Sequence, residues 1–92
     1  MRVVISYDIS DDKRRREVAK TIEGYGYRVQ YSVFECDLTG QQLRAIKKAL
    51  RPHVEARQGD SIRFYFIPAN AVEKIQVIGN DHARTLGVVA IV

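Results

Sequence analysis

Hydrophobic spacing changes period twice within the first 38 residues, and that change limits the fold more than any other feature of the chain. Val3, Ile5 and Tyr7 alternate with Val4, Ser6 and Asp8, which is the two-residue period of a strand. Val18, Ile22 and Tyr25 then recur at i, i+4 and i+7, the spacing of a helix face, and Tyr27 to Leu38 returns to strand-like alternation. A strand, a helix and a strand packed into so short a stretch require a mixed α and β domain in which a sheet buries one face against helices. With 92 residues in all, one modest core is the limit, and a domain of this size commonly gains stability by oligomerising.

The first helix is capped by Ser10, Asp11 or Asp12 and stopped by Gly24 or Gly26. Thr39 and Gln42 form a T-x-x-Q capping box ahead of a second helix whose buried stripe is Leu43, Ile46 and Leu50 and which Pro52 ends. His53 to Gly59 is a polar connection, Ser61 to Ile67 a third strand rich in aromatics, and Pro68 its stop. Val72 to Ile78 reads as a fourth strand and Leu86 to Val92 as a fifth, after a turn at Gly79-Asn80. The expected architecture is α+β, a ferredoxin-like β-α-β-α-β-β sandwich with a C-terminal fifth strand, assembled as a homodimer. Residues 1–78 form the domain and 79–92 a tail whose apolar strand needs a sheet edge, with the dimer partner's edge slightly favoured over the chain's own.

Composition narrows the ligand. A formal net charge of +4 favours a polyanion over an acidic protein. One cysteine, Cys36, excludes an internal disulfide, no Cys/His spacing suits zinc, and a reducing cytoplasm is the expected home. The N-terminal apolar run meets Asp8 too soon for a signal peptide and is too short to span a bilayer, so no membrane role is expected.

Asp8 is the candidate for chemistry, because a carboxylate at a strand end is fixed in direction. A lone Asp holds Mg²⁺ (or Mn²⁺) only with further oxygens from water, phosphate or a second subunit, and a symmetry mate would supply the second carboxylate. The competing reading is that Asp8 only caps the following turn. Lys13, Arg14, Arg15 and Arg16 stand at a helix N-terminus, where cations oppose the macrodipole unless an anion binds or Asp11, Asp12 and Glu17 neutralise them. Arg14, Arg15, Arg16, Arg28 and Ser32 are the candidate nucleic-acid contacts, with Ser32 a hydrogen-bonding residue or phosphate contact and no base to make it a nucleophile. Asp11 and Asp12 read as caps, and His53 and His82 as solvated surface histidines.

Tyr7-Asp8-Ile9-Ser10-Asp11-Asp12-Lys13-Arg14-Arg15, then Val18-Ala19-Lys20, Gly26, and Arg28 through Glu35 together resemble the second of the two universal CRISPR-associated adaptation proteins, the small partner of the CRISPR integrase. The resemblance is specific over about the first forty residues. It implies a homodimer of ferredoxin-like subunits whose paired Asp8 side chains bind a divalent metal. It also implies endonuclease activity on single-stranded RNA or double-stranded DNA in prokaryotic antiviral defence, and a place in the spacer-integration complex. A non-catalytic DNA-binding scaffold bridging integrase dimers is the alternative. Tyr7, Arg15, Arg28, Ser32 and Phe34 fall where the family places residues that support the site or touch nucleic acid. Glu17 departs from the pattern, at a place in the helix that is frequently basic.

Overall fold

The structure, a computed structural model, describes residues 1–81 and the backbone of residues 90–91. The elements in chain order are β1 (Arg2–Asp8), α1 (Asp12–Glu23), β2 (Gly26–Gln30), β3 (Val33–Asp37), α2 (Gly40–Leu50), two 3-10 turns (Arg51–His53 and Ala56–Gln58) and β4 (Ser61–Ile67). A short helix α3 (Ala69–Val72) and two brief strands, β5 (Gln76–Val77) and β6 (Ala90–Ile91), follow. Strands β1 to β4 form one antiparallel sheet in the order β2-β3-β1-β4. That order on a β-α-β-β-α-β chain is the ferredoxin-like topology.

The expected order of elements needs two corrections. Tyr27 to Leu38 is a hairpin, with β2 and β3 turning back at Tyr31-Ser32. Length gives the reason: twelve extended residues at about 3.3 Å each would run roughly 40 Å, as long as the molecule's greatest dimension of 39 Å. The turn carries no Gly, Pro or Asn to announce it. Folding back brings Phe34 opposite Ile5 and Cys36 opposite Val3, so both enter the core. The reversal also sets Arg28 directly opposite Phe34, so the two side chains share the side of the sheet that faces the helices.

The second correction concerns Val72 to Ile78. Pro68, extended at its own residue, accepts from the Ala71 and Val72 amides at 2.8 and 3.1 Å and starts a helical turn, leaving only Gln76–Val77 as strand. Ala90–Ile91 pairs in parallel with that strand. The other positions of the expected fifth strand, 86–89 and 92, lie outside the described residues.

Both long helices cover one face of the sheet. Val18, Ala19 and Ile22 of α1 and Ile46 and Leu50 of α2 bury against Val3, Ile5, Tyr7, Phe34 and Cys36. The predicted capping box is present, with the Gln42 amide donating to Thr39 Oγ1 at 3.1 Å and the Thr39 amide to Gln42 Oε1 at 2.9 Å. Asp11 is the cap of α1 and accepts from the Arg14 amide at 2.9 Å. Gly26 starts β2 for lack of space: a Cβ there would lie 2.3 Å from the Glu35 carbonyl oxygen and 2.5 Å from Cys36 Sγ.

The opposite face of the sheet carries Arg2, Val4, Ser6 and Asp8 along its centre. Arg2 is buried there, donating to Asp37 at 2.8 Å and to Glu35 at 3.3 Å, which locks β1 to β3 at the end remote from Asp8. A buried guanidinium held by two carboxylates has its solvation replaced by charge-assisted bonds.

Candidate functional site

Asp8 is the last residue of β1 and is exposed. Across the sheet it faces Ser61, the first residue of β4. On its other flank β3 begins at Val33, opposite Ser6, so the Asp8 side of that edge is left to the hairpin turn. The Tyr7 amide donates to the Ser32 carbonyl at 3.0 Å and the Tyr7 hydroxyl to the Tyr31 carbonyl at 3.3 Å. Two bonds from one residue thus fasten the turn beside Asp8.

Tyr7 and Phe34 act from beneath. Both are buried, with ring centroids 6.3 Å apart. Arg28 lays its guanidinium 5.1 Å from the Phe34 centroid and approaches Glu23 at 3.6 Å, so its cationic head is shared between a ring face and a carboxylate. These residues hold the strand end in place and leave Asp8 accessible.

The arginines of α1 separate into different roles. Arg14 donates through Nε and Nη2 to Asp60 Oδ2, at 3.2 and 2.9 Å, and to Gln58 at 3.0 Å. Arg15 reaches back to the Ile9 carbonyl at 3.0 Å and pairs with Asp12. Arg16 is exposed and makes no ion pair among the described residues. Asp11 and Asp12 therefore neutralise part of the cluster, while Arg16 interacts with Asp11 only at longer range. Ser32 is half-buried in the turn.

Two residues at this end escaped the sequence. Asp60 is buried and accepts from the Ser10 amide and hydroxyl, both at 3.0 Å, and from the Glu55 amide at 2.9 Å, besides Arg14. It ties the loop after β1, the first turn of α1 and the approach to β4 into one knot. The backbone donors of Ser10 and Glu55, with Arg14 behind them, hold its carboxyl well below the usual carboxylate range. Gly59 precedes it at φ 82°, a left-handed turn that aims Asp60 inward. Arg63 is the second. It pairs with Ser6, putting it diagonally across from Asp8 on the helix-free face, where neighbours stand about 7–8 Å apart. Its Nη1 donates to the Tyr65 hydroxyl at 3.0 Å.

Cys36 is no nucleophile: burial pushes its thiol up to about 11. His53 sits half-buried in a 3-10 turn, and His82 lies outside the described residues. Among the described residues no three His, Cys, Asp or Glu side chains converge on a point that could hold a metal. Mg²⁺ is commonly held by only one or two carboxylates plus water and phosphate. A single exposed Asp8 fits half of such a protein ligand set, and one chain does not complete it.

Residues 1–75, the whole of this arrangement, match the sequence profile of the family described as CRISPR associated protein Cas2. The chain belongs to the Cas2 family. It is 46% identical over 77 residues to a CRISPR-associated endoribonuclease Cas2 of Chloroflexus aurantiacus, covering 84% of this chain and 83% of that one. A Cas2 endoribonuclease of Thermus thermophilus is 40% identical over 84 residues, covering 91% and 88%. Among solved structures, a Streptococcus pyogenes Cas2 crystallised at pH 6.5 superposes with a TM-score of 0.74 at 38% identity, over 86% of this chain and all of that one. Among the described residues no helix is long and apolar enough to cross a membrane.

Proposed function

We propose that this chain is a homodimeric, metal-dependent endonuclease in which Asp8 from each of two subunits forms the metal site. The observation that carries the reading is the position of Asp8: exposed, at a braced strand end, on the sheet face that helices leave uncovered. Two such faces brought together by a twofold axis set the two carboxylates toward each other. Mg²⁺ or Mn²⁺ bound between them supplies Lewis-acid polarisation of a phosphoryl oxygen.

The chain's own residues do the rest. Tyr7 and the Tyr31-Ser32 turn keep the strand end rigid, which matters because a displacement of about 1 Å at a reacting group costs on the order of a hundredfold in rate. Arg63, diagonal to Asp8, and Arg16, exposed and outside any ion pair among the described residues at the start of α1, hold phosphates on either side of the cleavage point. Arg15, fixed by the Ile9 carbonyl, orients the loop that follows Asp8. RNA is the substrate that the names of the relatives, endoribonucleases, favour; we take it to be single-stranded, and double-stranded DNA is the other candidate. Family membership also supports a role beside the CRISPR integrase during spacer capture. The single buried Cys36 suits a reducing cytoplasm.

The test is Asp8→Asn assayed on labelled RNA and duplex DNA with Mg²⁺ or Mn²⁺. Cleavage is expected to disappear while dimerisation persists. Undiminished cleavage by a nuclease-free preparation of that variant overturns the reading.

A further inference from the structure

Of the 15 Lys and Arg residues in the chain, four lie in α2 and the residue after it: Arg44, Lys47, Lys48 and Arg51. The other 11 equal the 11 Asp and Glu. The entire formal excess of +4 therefore equals the charge of one stretch, residues 38–54, that contains no acid at all. The four recur at i, i+3, i+4 and i+7, so they form one stripe along the helix surface. None of their side chains makes an ion pair or a hydrogen bond among the described residues. The helix macrodipole accounts for Lys47 and Lys48 in the last turn, but not for Arg44 or for a first turn without an acid.

Beside this stripe lies an open groove of about 480 Å³ between α2 and the outer strand β4, with Lys47 and Arg51 on its rim and Ile62 and Phe64 on its wall. Lys47 Nζ stands 5.4 Å from the Phe64 ring centroid. β4 is the edge of the four-stranded sheet, so the groove opens outward. Strand register sets its wall residue Ile62 opposite Tyr7, the neighbour of Asp8 in β1, on the face of the sheet that the long helices cover.

We propose that the α2 stripe and its groove form a single-stranded nucleic-acid contact, with the backbone on Arg44, Lys47, Lys48 and Arg51 and a base against Phe64. A duplex offers phosphates to the stripe but keeps its bases stacked inside, whereas a single strand can satisfy both the cations and the aromatic wall. An acidic peptide would use the cations and leave Phe64 unused. The inference rests on the reading of the chain as a nuclease and names a surface, distinct from Asp8, through which that nuclease grips its substrate.

The experiment is fluorescence anisotropy of the intact protein in EDTA, where no cleavage is expected, with a labelled 12-nucleotide RNA across a salt series. Replacing Arg44 and Lys48 by Gln, both exposed, is expected to flatten the slope of log affinity against log salt by about 1.4, since each phosphate contact to a single strand contributes about 0.7. Phe64→Leu, which keeps an apolar side chain in the wall, is expected to weaken the RNA about fivefold or more and to leave an abasic oligonucleotide of equal length unaffected. Binding by the unaltered protein with an unchanged slope in the double variant overturns this inference alone, as does equal loss on RNA and the abasic strand in Phe64→Leu. Loss of polyglutamate binding with RNA binding intact assigns the stripe to an acidic protein and also overturns it. No binding of RNA or DNA by the unaltered protein overturns the nuclease reading as well.

Discussion

Gly26→Ala separates two explanations of the glycine that opens β2. If Gly26 served only to end α1, alanine would be accepted and would stabilise by about 0.4–1 kcal/mol through a less flexible unfolded chain, because the backbone there is not left-handed. The structure argues otherwise. A new Cβ would stand 2.3 Å from the Glu35 carbonyl oxygen and 2.9 Å from Cys36 Cα, both backbone atoms that cannot rotate away. Restoring a 3.0 Å separation moves the two strands apart by about 0.7 Å, which lengthens the β2–β3 hydrogen bonds. Overpacking of this kind costs about 1–3 kcal/mol, so the net loss is about 1–2 kcal/mol, or a Tm lower by roughly 5–15 °C for a domain of this size. Urea and thermal unfolding of the variant measure it. Cys36→Ala added to Gly26→Ala is not expected to restore stability, because the carbonyl clash remains. A Gly26→Ala protein as stable as the parent, or more so, refutes the close-approach argument.

Other consequences are measurable in the same way. Thr39→Ala removes one half of the capping box and is expected to cost about 1 kcal/mol, read as a lower urea midpoint with an unchanged slope. Asp60 has a folded pKa far below its unfolded value of about 4, so its contribution is full above that value and lost as pH falls below it. The stability advantage of the parent over Asp60→Asn is expected to be constant from pH 7 to 5 and to shrink below about pH 4; an advantage that grows in acid contradicts the sign. Arg63→Gln is expected to reduce cleavage about tenfold or more while leaving unfolding unchanged, since its side chain is exposed on the helix-free face. Unchanged kinetics would remove Arg63 from the phosphate contacts.

Local chemistry made much of the fold legible. Asp11, Thr39 and Gln42 cap helices because their side chains reach amides two or three residues away, a purely local matter, and β4 spans the stretch that Pro68 bounds. The hairpin was hidden because Tyr31-Ser32 carries no Gly, Pro, Asn or Asp and the alternation runs on through it; only packing Phe34 and Cys36 against β1 reveals the reversal. Asp8 was legible as a strand-end carboxylate. Arg63 and Asp60 were not, since one depends on the β1–β4 register and the other on three segments meeting, and neither leaves a trace in sequence spacing. Arg14, expected from the sequence to meet phosphate, is tied to Asp60, a pairing that no sequence spacing announces. The charge of α2 was countable from the start, but its meaning required knowing that Asp11, Asp12, Glu23 and Asp60 engage the cations of the first third.

A crystal structure of the assembled protein grown with Mn²⁺, read by anomalous scattering, addresses the central claim directly. One ion on a twofold axis, held by an oxygen of Asp8 from each subunit, is the predicted result. A monomer, or a dimer whose Asp8 side chains lie on outward surfaces with no ion between them under saturating Mn²⁺, contradicts it.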